Sequence, residues 1–285
     1  MKNKNIIVTG GAGFIGSKLL QHLKEKYSNF NLFSIDDYST GCEKNHVSGV
    51  EYFEDKTENI SRYKHLTPEM VFHFGEYSRV STSFEDQEAV FESNVVGTKR
   101  VIDFCLDNDI RLIYSASSTK FGDNGENVGA SPYAFFKSAN VDTIKNYNNW
   151  FGLNYSIIYF YNVYGAGQIE EGKYSTVIGI FERQHREGKP LTVVSPGTQR
   201  RDFTHISDVI SGIDTVMNHG GVGEYSLGTA TSYSIMEVAR MFSDNIEVLH
   251  PRPCERQQSS LDLTSMSKLG WKASVDIEEY VENLK

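Results

Sequence analysis

Cysteine is scarce in this chain, and the three present are isolated. Cys42, Cys105 and Cys254 show no paired or metal-like spacing. A disulfide framework is therefore not expected, and a reducing cytoplasm is the simplest setting. The eight histidines are scattered, with no His-x-x-His or Cys-x-x-Cys pair, so no metal site is expected. Long apolar runs are missing, and none approaches the ~20 residues of a membrane span. The first residues lead directly into Asn5-Ile6-Ile7-Val8-Thr9-Gly10, so no secretory leader is expected. Positive charge is in deficit, with 28 Lys and Arg against 37 Asp and Glu, for a net charge of -9. That balance argues against a nucleic-acid partner. Repeats and low-complexity tracts are absent. What is present is ordinary for a globular protein of 285 residues, 39% apolar and 23% charged. This suits one large domain or two modest ones with a substantial core.

The pattern that is present is alternation. Asn5–Thr9, Leu32–Asp36, Met70–Phe74, Arg111–Tyr114 and Tyr155–Phe160 read as buried strands. Phe14 to about Tyr27, Phe84–Asp107 and Ser131–Phe151 read as helices between them. Strands separated by helices predict an α/β fold with a doubly wound parallel sheet. After Asn162 glycines and prolines multiply and the elements shorten. A smaller mixed α/β lobe is expected there, placed over the carboxyl edge of the sheet, where ligands bind in such folds. The expected division is 1–162 for the sheet domain and 163–285 for the lobe, with part of 202–227 returning to the sheet domain.

The first strand runs into Gly10-Gly11-Ala12-Gly13-Phe14-Ile15-Gly16 and a helix follows. Gly10, Gly13 and Gly16 permit a tight turn, close approach of a pyrophosphate and close helix–strand packing. The helix N-terminus then faces the phosphates. About twenty residues after the last glycine the second strand ends at Asp36, followed by Asp37. A carboxylate there accepts hydrogen bonds from ribose hydroxyls and repels a 2′-phosphate, which favours NAD over NADP.

Tyr133 and Lys137 lie four residues apart on a helix whose start is marked by Ser131 as N-cap and Pro132 at the first position. Side chains at that spacing share a face. A phenol beside a fixed ammonium can exchange its proton near neutral pH and serve as a general base toward an alcohol. Spacing alone proves little, because roughly one Tyr-x-x-x-Lys is expected by chance in a chain with 16 Tyr. Tyr52 and Lys56 form a second. The C-terminal half also gathers Arg200, Arg201, His205, Arg252 and Arg256 against the negative background. A guanidinium fork suits phosphate oxygens.

Together, the glycine spacing and the Tyr–Lys pair resemble the short-chain dehydrogenase/reductase superfamily, in its extended branch of NAD-dependent nucleotide-sugar epimerases and dehydratases. The resemblance covers nearly the whole chain. It includes Val71-Phe72-His73-Phe74-Gly75, Asn94-Val95-Val96-Gly97-Thr98, Ser115-Ala116-Ser117-Ser118-Thr119, Asn162-Val163-Tyr164-Gly165, Arg201-Asp202-Phe203-Thr204-His205 and Leu269-Gly270-Trp271. It implies a Rossmann sheet, NAD as cofactor, a nucleotide-diphosphate sugar as substrate and a homodimer built on the two long helices. Ser117, Tyr133 and Lys137 become the implied catalytic residues, with Lys137 on the nicotinamide ribose. Gly10, Gly13, Phe14, Ile15, Gly16, Asp36, Asp37, Asp55, Phe74, Gly75, Asn94, Tyr133 and Lys137 become the implied cofactor contacts. Glu76, Ser117, Ser118, Thr119, Asn162, Arg201 and Arg252 become the implied substrate contacts, while Arg200 and Arg256 read as surface residues.

The implied reaction begins with oxidation at the sugar's C4, leaving a 4-keto sugar. A 4,6-dehydratase carries Asp-Glu after the catalytic Ser or Thr. Here Ser118 and Thr119 stand there, and neither can do that acid–base work. No cysteine matches a fucose-synthase-type reductase either. The pattern is nearest the 4-epimerases. It departs from them in a shorter stretch between Gly122 and Tyr133, in Tyr159 where the family usually has Arg, and in Glu76-Tyr77-Ser78-Arg79 in place of small residues. These imply an altered sugar pocket. The Phe-Gly-Glu-Tyr-Ser-Arg stretch is similar to bacterial 4-dehydrogenases of nucleotide-heptoses in capsule polysaccharide synthesis, among them those acting on GDP-heptose. A non-catalytic NAD-sensing protein on the same fold, another nucleotide-sugar epimerase or reductase, and a reductase of small ketones stay open as alternatives.

Overall fold

Residues 3–123, 125–251, 257–258 and 261–284 are described by the computed structural model. Its first part alternates as β1 (Lys4–Thr9), α1 (Phe14–Lys26), β2 (Phe30–Asp36), β3 (Glu51–Glu54), β4 (Met70–His73), α2 (Gln87–Val90), α3 (Thr98–Asp107), β5 (Arg111–Ser117), α4 (Pro132–Phe151) and β6 (Tyr155–Phe160). Six of these segments and the later strand Gly223–Leu227 form one sheet, in the order Gly223–Leu227, β6, β5, β4, β1, β2, β3. Every pairing is parallel.

Both faces of the sheet are covered, which explains why its strands read as continuous apolar runs. Along β1, Ile7 packs into the core on one face, and Ile6 and Val8 into the core on the other. All three are at most 1% exposed. Burial on that scale is worth roughly 1.5–3 kcal/mol per aliphatic side chain. The register aligns the carboxyl ends: Thr9 pairs with Ile35 and His73, and Ser117 pairs with Phe160. The chain therefore leaves β1, β2, β4, β5 and β6 along one edge.

Helix α4 starts and stops where its sequence directs. Ser131 accepts from the Ala134 amide, Pro132 opens the first turn, and Gly152 closes the helix in the left-handed region at φ 78°. The expected helix over Phe84–Asp107 forms without interruption from Gln87 to Asp107, but its geometry changes along the way. A 3-10 turn (Ser81–Phe84), α2, a π-helical stretch (Phe91–Gly97) and α3 follow one another. Within the π stretch, the side-chain amide of Asn94 pairs with both the N–H and the C=O of Tyr77, at 2.8 and 3.0 Å. A buried amide that holds a loop competes with regular helix geometry.

Helix Ile206–His219 packs on α1 and leads into the sheet strand Gly223–Leu227. Asp214 ties the two helices through His22, Lys26 and Tyr27. The remaining C-terminal elements surround a separate core that includes Phe181, Leu191, Val193, Phe203, Val238 and Phe242. There, Leu191–Val194 pairs in parallel with Ile246–Leu249.

Candidate active site

Between the carboxyl edge of the sheet and this second core lies a cleft of about 860 Å³. The glycine loop forms one end. Gly10 has φ 72°, and a Cβ on it would meet the Gly75 amide nitrogen at 2.8 Å. A Cβ on Gly16 would lie 2.1 Å from the Gly10 carbonyl oxygen. At Gly13 the nearest atom to an added Cβ is at 3.2 Å, so the loop presses on the protein behind it and stays open in front. Gly13, the N-cap of α1, supplies no side-chain cap, and the first turn carries no acid. By contrast, Ser131, Thr176, His205, Ser234 and Asp276 cap their helices. An uncapped helix end with free N–H groups facing a cleft suits a pyrophosphate.

Asp36 stands beside that loop, 7% exposed. One carboxylate oxygen accepts from the Ala12 amide at 2.8 Å, the other from the Tyr38 amide at 2.9 Å. Burial pushes its pKa above the usual carboxylate value, and the two amides pull back against that. Each oxygen keeps a lone pair for a ribose hydroxyl. These residues fit NAD.

Ser117, Tyr133 and Lys137 all line the middle of the cleft. Ser117 ends β5, and its Oγ accepts from the Thr119 amide at 3.2 Å and the Thr119 hydroxyl at 2.9 Å. Tyr133 is 8% exposed and packs on Tyr77 and Val90. Lys137 is buried one turn further along α4. Its Nζ donates to the Ser115 carbonyl at 2.5 Å and to the Glu76 carboxylate. The other Tyr–Lys pair has no such setting. Tyr52 lies in β3 and accepts from the Val47 amide. Lys56 reaches Glu92 at 3.6 Å.

The far end carries Asn162 and Arg201. Asn162 donates to the Asp202 carbonyl at 2.9 Å. Arg200 instead turns outward to Ser232 and Glu237. Arg252 falls outside the described residues, as do Cys254 and Arg256. Tyr174 and Arg79 also line the cleft. Arg79 donates to the Tyr174 carbonyl, and Tyr77 and Tyr174 meet edge to face. With the Lys173–Asp86 ion pair, these contacts strap the two sides together.

Of the expected contacts, Gly10, Gly13, Phe14, Ile15, Gly16, Asp36, Asp37, Phe74, Gly75, Glu76, Ser118 and Thr119 also line the cleft. Asp55 and Asn94 do not. The Asp55 carboxylate accepts from Asn59, Arg62, Tyr63 and the Lys56 amide, and Asn94 is spent on Tyr77. Glu76 does line the cleft, but its carboxylate is sealed beneath Lys137 rather than presented to a sugar. Tyr159 sits away from the pocket, donating to Glu224 at 2.6 Å with its ring tilted against Phe121. Tyr174 went unseen in the sequence because it lies on an irregular stretch of the second lobe that carries no motif.

The sheet, the glycine loop and the cleft define an α/β dinucleotide-binding protein. Residues 6–228 match the model of the NAD dependent epimerase/dehydratase family, and the chain belongs to that family. It is 29% identical to a protein of Methanocaldococcus jannaschii provisionally named UDP-glucose 4-epimerase, over 98% of this chain and 96% of the relative. UDP-glucose 4-epimerase from Thermotoga maritima, solved with UDP-glucose, superposes with a TM-score of 0.90 at 24% identity, covering 98% and 96% of the two chains. The Thermus thermophilus UDP-glucose 4-epimerase, solved with NAD, gives 0.87 at 25% identity, covering 98% of each chain. The chain is thus an NAD-dependent enzyme of the nucleotide-sugar epimerase/dehydratase type.

Proposed function

We propose that the enzyme oxidises C4 of a nucleotide-diphosphate sugar and acts as a 4-epimerase. One observation carries this reading: Ser117, Tyr133 and Lys137 line one cleft, with the uncapped glycine loop at one end and Arg201 at the other. NAD, when bound, accepts the hydride from C4 and gives it back. Tyr133 takes the proton from the C4 hydroxyl, as a positioned general base. Ser117 hydrogen-bonds the same hydroxyl and orients it. Lys137 donates to the ribose of the cofactor, and Asn162 and Arg201 hold the diphosphate. In this reading residues 1–162, with helix Ile206–His219 and strand Gly223–Leu227, hold the cofactor, and the rest of 163–285 holds the sugar nucleotide.

Ser118 and Thr119 support epimerisation over dehydration. Ser118 is buried and Thr119 is engaged with Ser117, and neither is an acid. Release of the keto sugar, as in a 4-dehydrogenase, is the second reading, favoured by the short stretch between Gly122 and Tyr133. A nucleotide-heptose substrate rests on the Phe74–Arg79 stretch alone. A homodimer is part of the same proposal, supported by Phe91, Phe135, Trp150 and Phe151, each at least 47% exposed on the helices concerned. Incubation of the NAD-loaded protein with a panel of UDP- and GDP-sugars, followed by NMR and mass analysis, tests the reading. A C4 epimer is the expected product, a 4-keto sugar would move the assignment to the dehydrogenase, and no product from any member would sink it.

A further inference from the structure

Glu76 is a buried charge that the reaction as proposed leaves idle. It follows β4 by three residues, where the resemblance leads one to expect a small side chain. Its carboxylate is 2% exposed. Thr98 donates to it at 2.8 Å, Tyr114 at 3.1 Å and Asn140 at 3.1 Å, and Lys137 completes the set. Three neutral donors and one cation, drawn from α3, β5 and α4, make a site built for an ionised carboxylate.

The effect on Lys137 is geometric as well as electrostatic. An ammonium has three protons. Glu76 and the Ser115 carbonyl take two, and the Tyr114 hydroxyl lies 3.3 Å from Nζ. At most one N–H is left for a ligand in the cleft. The other titratable neighbours do not change the balance. His73, reached through Thr98 at 3.0 Å, is held neutral by burial, with its pKa pushed down to about 4. Tyr114 is pushed up by burial and by Glu76. Arg79 and Tyr133 line the same cleft, and neither is hydrogen-bonded to the Glu76–Lys137 pair.

We propose that Glu76 is a positioning residue that cancels the charge of Lys137, so that the site accepts the cationic nicotinamide of NAD as readily as the neutral ring of NADH. This rests on the reading that Lys137 lies at the nicotinamide end. An unpaired ammonium a few ångströms from a second positive charge in a partly dry site disfavours it by roughly ten-fold or more. The pair removes that penalty. An enzyme that must return its hydride each cycle is then not biased by this charge toward the reduced cofactor.

The test is binding rather than turnover. The full chain is dialysed against a fixed mixture of NAD and NADH, and the bound ratio is read after denaturation. Glu76→Gln keeps the shape and most of the hydrogen bonds, and it should raise the bound NADH-to-NAD ratio about ten-fold. Lys137→Met should move the ratio the other way, and it gives a readout even if the first variant does not fold. The double variant Glu76→Gln/Lys137→Met should return near the unaltered ratio. A ratio unmoved in Glu76→Gln and Lys137→Met, or a double variant as skewed as Glu76→Gln, would overturn the assignment. The underlying reading is tested separately: Lys137→Met should weaken binding of NADH but leave that of ADP-ribose, which lacks a nicotinamide, less affected, and equal weakening would place Lys137 away from the nicotinamide end.

Discussion

The two ends of the cleft are built differently. At the cofactor end the main chain does most of the work: Gly10 and Gly16, where an added Cβ would come within 3 Å of backbone atoms, a helix left uncapped, and Asp36 bonded to two backbone amides. The other end, proposed for the sugar, is made of long side chains on short, irregular elements, such as Arg201, Arg79 and Tyr174. Backbone geometry permits few residue types and leaves a spaced pattern in sequence. Side-chain geometry permits many and leaves little. This is why the cofactor is plain and the sugar is not.

That contrast can be broken at several points, and the largest effect should come at the junction of the two ends. Tyr133→Phe removes only a hydroxyl that has no hydrogen-bond partner among the described residues. Turnover should fall by about a thousand-fold, within the range for a lost general base, with unchanged NAD binding in calorimetry. Retained turnover would detach the chemistry from the α4 face.

The next effect lies wholly on the cofactor side. His73 is buried between Thr9 and Thr98, and burial lowers its pKa from 6.5 to about 4. The unfolded chain takes up this proton first as pH falls. Its contribution to stability is therefore complete above pH 6.5 and is lost as pH drops toward 4, a loss of about 3 kcal/mol. Calorimetric unfolding at about pH 5.5, in buffers of different ionisation enthalpy, should show about one proton more taken up by the unaltered chain than by His73→Asn. No difference would mean that His73 is charged in the fold.

On the sugar side, Arg201→Ala should weaken binding of a nucleoside diphosphate about thirty-fold, the loss of a charge-assisted contact. Arg200→Ala should change it less than two-fold, since an exposed ion pair is worth ~1 kcal/mol at most. Equal effects in calorimetry would erase the distinction between the two arginines. Smallest is the strap. Lys173→Ala, which breaks the exposed pair with Asp86, should raise KM two- to three-fold and leave kcat and the melting temperature nearly unchanged.

The same contrast explains what could be read in advance. β1, β2, β4, β5, β6, α1 and α4 follow from apolar runs, caps and glycines, which act locally. The π-helical stretch inside the 87–107 helix does not, because it goes with Asn94 finding the backbone of Tyr77, 17 residues earlier. Asp55, Asn94 and Tyr159 illustrate one limit. Each is polar and stands at a plausible position, yet each has a nearer partner than the cleft. Glu76 illustrates another: its position along the chain was visible, but not that Thr98, Tyr114, Asn140 and Lys137 would converge on it. Convergence from three elements is a property of the fold.

Hydride transfer between the sugar and the cofactor beside Tyr133 is the central step of the proposed reaction. A nucleotide sugar that the enzyme converts, labelled with deuterium at C4, tests this directly. After reaction the protein is denatured, and both sugar and cofactor are analysed by mass and NMR. The label should remain at C4 in the epimerised sugar or, if the keto sugar is released, appear on the reduced nicotinamide. Loss of the label to water would contradict the account, because it would show C4 giving up a proton rather than a hydride.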